Sequence, residues 1–313
     1  MSSRQLKAIF GALAILVLAY VAVQLLAGDG RRSGGDDIVA AARDGISMVR
    51  VLGPGAEDSV HLEKSDSAWT VNGYPADTAL VRQLAGGLDT ALVGRLVVRS
   101  TANHARLGVA EDSAWRVEIG PAGDPDVAFF LGEEGPDGRY VRFPASDEVF
   151  IVPTASMRLL RRSAEEWRNR IVAAVDTSIV SRIAVRRNDE PAPVLLARVV
   201  GNSAAPWSLD GAAADSAAVG TLLRESANLT ATGFPSDSLA FAVDFSNPVA
   251  VLEMFDSDEL GAAPSLSLLF LTAPDAPDFL VRRADDPLAY RISAAQAERL
   301  LPTRAMLLPE ATE

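Results

Sequence analysis

Apolar and polar residues alternate through ISMVRVL (46–52), SVHLEK (59–64) and AWTV (68–71). That period of two predicts short strands, each with one face toward a core. Beyond Asn72-Gly73 the period changes: Leu80, Leu84 and Leu88 recur at i, i+4 and i+8, which puts them on one face of a helix. Alternation then returns in GRLVV (94–98), WRVEIG (115–120), VAFFLG (127–132), RYVRF (139–143) and EVFIV (148–152), with a second helix expected from Thr154. The glycines of GEEGPDG (132–138) carry no phosphate-loop pattern and predict a hairpin turn.

The pattern is written twice. WTVNGYPADTALVRQL begins at Trp69 and WSLDGAAADSAAVGTL begins at Trp207. In both, a pair able to take positive φ, Asn72-Gly73 or Asp210-Gly211, predicts a tight turn. Asp77 and Asp215 each precede a helical pattern, where a carboxylate accepts from the free N–H groups of the first turn. Val219, Leu222 and Leu223 match the leucine face less fully, and the two tryptophans are expected to cap the core against the helix. The second copy continues with FAVDF (241–245), PVAVLEMF (248–255), LSLLFL (266–271), DFLVRR (278–283) and LAYRI (288–292), read as strands, and closes in the helix SAAQAERLL (293–301). A solenoid repeats every 20–50 residues or so in three or more units, so two long copies read as a duplicated domain. The expected fold is α+β: two tandem related units, 45–175 and 176–313, each a mainly antiparallel sheet with packed helices.

Ahead of these units, Ala8 to Ala27 is a run of twenty residues without a charge. At about 1.5 Å per residue such a helix crosses a hydrocarbon core of roughly 30 Å. The expectation is an uncleaved transmembrane helix (8–27) with a cytoplasmic tail (1–7) bearing Arg4 and Lys7, and a Gly- and charge-rich flexible linker (28–44) leading to an extracytoplasmic domain. The partner expected on this basis is the membrane itself, and the location a bacterial inner membrane crossed once. The chain has no cysteine, which removes disulfides, thiol nucleophiles and thiolate metal sites.

A balance of 29 basic to 41 acidic residues, net −12, speaks against nucleic acid as a partner. His61 and His104 are the only histidines, and no G-x-S-x-G elbow accompanies them. DSDEL (256–260) lacks the glycine and closing glutamate of a calcium loop. Adjacent Glu165 and Glu166 point about 100° apart on a helix, too far to flank one glycosidic bond. No catalytic, metal or cofactor-binding residue is therefore assigned. Trp167, Arg168 and Arg170 form the candidate interface, because Trp and Arg are enriched in binding hot spots. The competing structural reading is that Trp167 closes the seam between the repeats.

WTVNGYPAD with its leucine-patterned helix, followed by RYVRF, VFIV and EEWRNRIV, resembles the bacterial family catalogued as domain of unknown function 4340, from Ile46 to the C-terminus. Ala212 and Ala213 depart from it where the first copy has Tyr74 and Pro75. The resemblance implies membrane-anchored, exported proteins that work beside ABC exporters. The expected function is thus a non-enzymatic, extracytoplasmic accessory or scaffold protein. A periplasmic ligand-binding module, with its pocket in a cleft between the repeats, is the alternative class, and an envelope hydrolase is the enzymatic one.

Overall fold

The computed structural model describes residues 46–309 apart from 56–58, 67, 90–93, 122–124, 200, 201, 203, 204, 258, 260 and 275. The expected tail, transmembrane helix and linker lie outside the described residues. No described helix is long and apolar enough to cross a membrane. The architecture is mainly antiparallel sheet with few helices, in two compact units, Met1–Asn169 and Arg170–Glu313. The sequence reading puts the division at 175/176. It falls earlier because Trp167 packs into the first core while Val172 and Ala173 pack into the second.

The first unit holds β1 (Met48–Leu52), β2 (Val60–Ser65), β3 (Ala68–Val71), β4 (Tyr74–Pro75), β5 (Arg95–Val98), β6 (Trp115–Gly120), β7 (Val127–Gly135), β8 (Gly138–Arg142) and β9 (Val149–Val152). They form one nine-stranded sheet in the order β4-β3-β2-β1-β6-β7-β8-β9-β5. Helix α1 (Thr78–Asp89) and the short α2 (Thr154–Met157) and α3 (Ala164–Trp167) join it. Val49, Val51, Leu62, Val117, Ile119, Phe129 and Val141 pack one face of the sheet against Val81, Leu84 and Leu88 of α1. Val81 is buried where the sequence reading put Leu80, which sits half-buried at the flank. The segment between β5 and β6 folds onto the other face, where Leu107 and Val109 cover Phe130 and Val149.

The second unit begins with β10 (Ile171–Ala173), which pairs with β15 (Leu229–Thr230) in a two-stranded sheet. Its main sheet comprises β11 (Arg182–Arg187), β12 (Val194–Ala197), β13 (Ser208–Leu209), β14 (Ala212–Ala213), β16 (Ala250–Phe255), β17 (Leu266–Thr272), β18 (Phe279–Arg283) and β19 (Ala289–Ile292). The order is β14-β13-β12-β11-β16-β17-β18-β19. Helix α4 (Ser216–Ala227) lays Val219 and Leu222 into the core, and α6 (Ala294–Leu300) adds Ala297 and Leu300. Between them α5 (Asp237–Ala242) replaces the strand expected at FAVDF. The Ser236 hydroxyl caps it by accepting from the Leu239 N–H, and Phe245 beyond it tucks beside Ala273 and Leu280 on the outer face of the sheet. A five-residue stretch of four apolar residues and one aspartate is ambiguous between strand and helix, and the cap decides it. Strands β11 and β12 were not picked out from the sequence.

The two main sheets share their order of neighbours up to the last strand and much of their loop bonding. The Ser47 hydroxyl donates to Gly120 O at 3.3 Å, and the Ser181 hydroxyl donates to Phe255 O at the same distance. Lys64 N donates to Ser47 O at 2.8 Å, and Arg198 N to Ser181 O at 2.9 Å.

Candidate functional site

The residues of the repeated stretch occupy equivalent places in their sheets and act there as folding devices. Asn72 (φ 47°) and Gly73 (φ 84°) join β3 to β4, and Asp210 (φ 50°) and Gly211 (φ 88°) join β13 to β14. Two consecutive left-handed residues make the tight hairpin turn that matches strand twist. The Asp77 carboxylate accepts from Ala79 N at 2.8 Å and Leu80 N at 3.2 Å. That of Asp215 accepts from Ala218 N at 2.7 Å. Trp69 packs half-buried against the first core, and Trp207 is buried in the second, with the Arg198 guanidinium 4.9 Å from its ring centroid. Of the two histidines, His104 is buried and its Nε2 lies 2.9 Å from Asp147 O, so its ring holds a loop. His61 sits half-exposed on β2, 4.0 Å from a Glu63 oxygen.

Of the three candidate interface residues, Arg168 and Arg170 are half-exposed and Trp167 is buried. Trp167 is 1% exposed and packs among the residues of the first core, so its indole is not presented to a partner. It plugs its own unit: Asp77 N donates to Trp167 O at 2.7 Å, Asn169 N to Pro75 O at 2.8 Å, and Ala76 bridges Arg168. The segment thereby lengthens the sheet edge at β4. Arg168 stacks over Tyr74, 3.8 Å from its centroid, and Arg170 lends its carbonyl to Ala231 N in the second unit. Glu166 closes a capping box: its carboxylate accepts from Ser163 N at 2.9 Å, while the Ser163 hydroxyl accepts from Glu166 N.

A cavity of about 520 Å³ opens at one end of the second sheet. Its walls come from the end of β11, the start of β16, the facing ends of β17 and β18, and α6. Val249, Ala250, Phe279, Ala297 and Leu301 make it largely apolar, and Asn188, Thr272 and Glu298 supply polar groups. Arg187 at its edge is already engaged. Its Nε and Nη2 donate to the two Asp189 oxygens at 2.9 and 2.7 Å, and its Nη1 donates to Leu301 O at 2.6 Å. Bidentate bonding raises the Arg187 pKa despite partial burial and holds the Asp189 carboxyl below its ordinary value. The cavity thus combines an apolar floor with one neutralised ion pair and Glu298, which has no ion pair among the described residues. Sequence reasoning selected none of these residues. The only signal available was two alanines, Ala250 and Ala297, where the first copy carries larger side chains.

A family model described as a domain of unknown function, DUF4340, matches residues 69–238. The match takes in more than half of the chain. The chain belongs to this family. The DUF4340 match starts at Trp69 and ends at Ser238, so it includes both copies of the turn, the cap and the helix behind them. No curated protein and no solved structure matches the chain.

Proposed function

We propose that this DUF4340 protein is a membrane-anchored, extracytoplasmic accessory subunit that works without catalysis beside a membrane transporter of the ABC exporter type. Its two units are read as a duplicated domain. The observation that carries the non-catalytic reading is that the buried imidazole and the two repeated aspartates already have structural partners, while His61 stands half-exposed on β2 beside Glu63. Asp77 and Asp215 are spent on helix N-termini, and the His104 ring on a loop carbonyl. A serine-nucleophile mechanism requires an imidazole free to take a proton at the nucleophile, and a ring committed to a loop is poorly placed for it.

The transporter link rests on the family resemblance, and the anchor on the apolar run 8–27. Confinement to a membrane raises the effective concentration of a partner in the same membrane, so a weak interface suffices. The test is a pull-down of the full chain in mild detergent, with protease accessibility of intact spheroplasts measured in parallel. Co-purified transporter subunits and cleavage of the C-terminal domain without lysis are expected. No transporter subunit, together with an envelope-hydrolysing activity lost in His61→Ala or His104→Ala, would replace this reading with the enzymatic one.

A further inference from the structure

The cavity of the second unit exists because two positions are small. Strand register identifies the first: β6 pairs with β1 through Arg50↔Glu118, and β16 pairs with β11 through Ala184↔Glu253. Counting back from each glutamate along its strand, Trp115 stands where the second unit has Ala250. The neighbouring strand agrees, since Trp115 faces Leu131 and Ala250 faces Phe270. The second position lies in the helix after the last paired strand. Met157 follows Val152 at the same interval as Ala297 follows Ile292, and both are buried. In the first unit, then, an indole and a thioether occupy this end of the sheet, and Arg161 stands 5.3 Å from the centroid of the Trp115 ring. Both side chains shrink to methyl groups in the second.

We propose that this cavity is a binding site for an aromatic group that carries a positive charge. Its volume of about 520 Å³ falls within the roughly 300–1,000 Å³ of small-molecule pockets. The first unit fills the equivalent space with a planar ring and sets a guanidinium over it, a cation–π arrangement within about 6 Å. In the second unit the position of Trp115 carries only a methyl group; the ring and the guanidinium that line the cavity, Phe279 and Arg187, come from other positions. Its lining holds one cation, Arg187, against two carboxylates, Asp189 and Glu298, and Arg187 is already bound by Asp189. Glu298 is the carboxylate left to meet a cation on an incoming ligand. A ring buried against Val249, Phe279 and Leu301 takes the place that the Trp115 indole has in the first unit, and an attached ammonium or guanidinium adds a cation that Asp189 has not already bound. This site stands independently of the exporter reading, which no outcome below tests.

The experiment uses the full chain in mild detergent and ligand-observed saturation-transfer NMR. The probes are tryptamine, indole, propylamine and a capped Trp-Arg dipeptide. Saturable binding of tryptamine or the dipeptide is expected, with a Kd on the order of 1 mM for a ligand this small. Indole should bind more weakly and propylamine should not saturate. The tighter of tryptamine and dipeptide tells whether the group arrives as a small molecule or on a polypeptide. Ala250→Trp rebuilds the first unit's filling and should abolish binding. Ala297→Met, which narrows the cavity from the helix side, decides the point if that variant does not fold. Glu298→Gln should weaken tryptamine about two- to fivefold, the scale of an exposed charge pair, and leave indole unchanged. No saturation by tryptamine or dipeptide at about ten times the expected Kd, or binding unchanged in the folded cavity variants, would overturn the proposal.

Discussion

The turn after β3 is clamped by its own residue: Asn72 Nδ2 donates to Ser59 O at 3.0 Å, and His61 N donates to Asn72 Oδ1 at 2.8 Å. After β13 the side chain of the corresponding Asp210 has no donor to offer, and the carbonyl that precedes β12, Pro193 O, is met instead by Arg304 Nη2 at 3.2 Å. The same Arg304 pairs with the Asp210 carboxylate through Nη1. One unit closes its turn locally, and the other recruits a side chain from 94 residues away. Closure of the core follows the same rule. Asp77 N donates to Trp167 O and Asp215 N to Leu307 O, so an indole in one unit and an isobutyl group in the other plug the base of the helix. Backbone bonds recur between the units while the side chains serving them change. The likeness therefore lies in which donors and acceptors must be paired. The space left over is free to differ, and at Ala250 it does.

The comparison is broken most forcefully at the plugs. Trp167→Ala should destabilise the protein by about 3–5 kcal/mol and Leu307→Ala by about 2–5 kcal/mol, measured by denaturant unfolding. A Trp167→Ala variant of unchanged midpoint that loses a partner in pull-downs would return Trp167 to the role of interface residue. The caps come next. Asp77→Ala and Asp215→Ala should each cost about 1 kcal/mol, and markedly unequal losses would show that the two helix starts are not equivalent.

Arg304→Ala should cost less than about 1 kcal/mol, because its pair with Asp210 is exposed and screened. Amide exchange should localise the loss to the β12–β13 edge, with the first unit unaffected. The smallest effect is electrostatic. Because Arg187 depresses the Asp189 pKa, the pair's contribution to stability is fully present above the unfolded carboxyl value of about 3.9 and is lost as pH falls through the depressed folded value. Carboxyl NMR should place the Asp189 midpoint below about 3.9 in the wild type and move it upward in Arg187→Gln.

Much of the fold was legible because its signals are local. Asn72-Gly73 and Asp210-Gly211 demand positive φ whatever surrounds them, and Asp77 and Asp215 meet the free amides of a helix two or three residues away. Apolar spacing placed both long helices correctly but misjudged the centre of the stripe by one residue, at Leu80 against Val81. The strand expected at FAVDF gave way to α5 because Ser236, outside the run, caps a helix.

The sequence by itself thus determined the elements whose causes lie within a few residues: turns, caps, strand alternation and the family-bearing stretch at Trp69. Tertiary structure alone decided the fate of Trp167, the reach of Arg304 and the cavity beside Ala250. Each of these depends on pairing between segments far apart in the chain. An exposed anchor and a buried plug carry the same Trp in the sequence, and only the packing of distant segments distinguishes them.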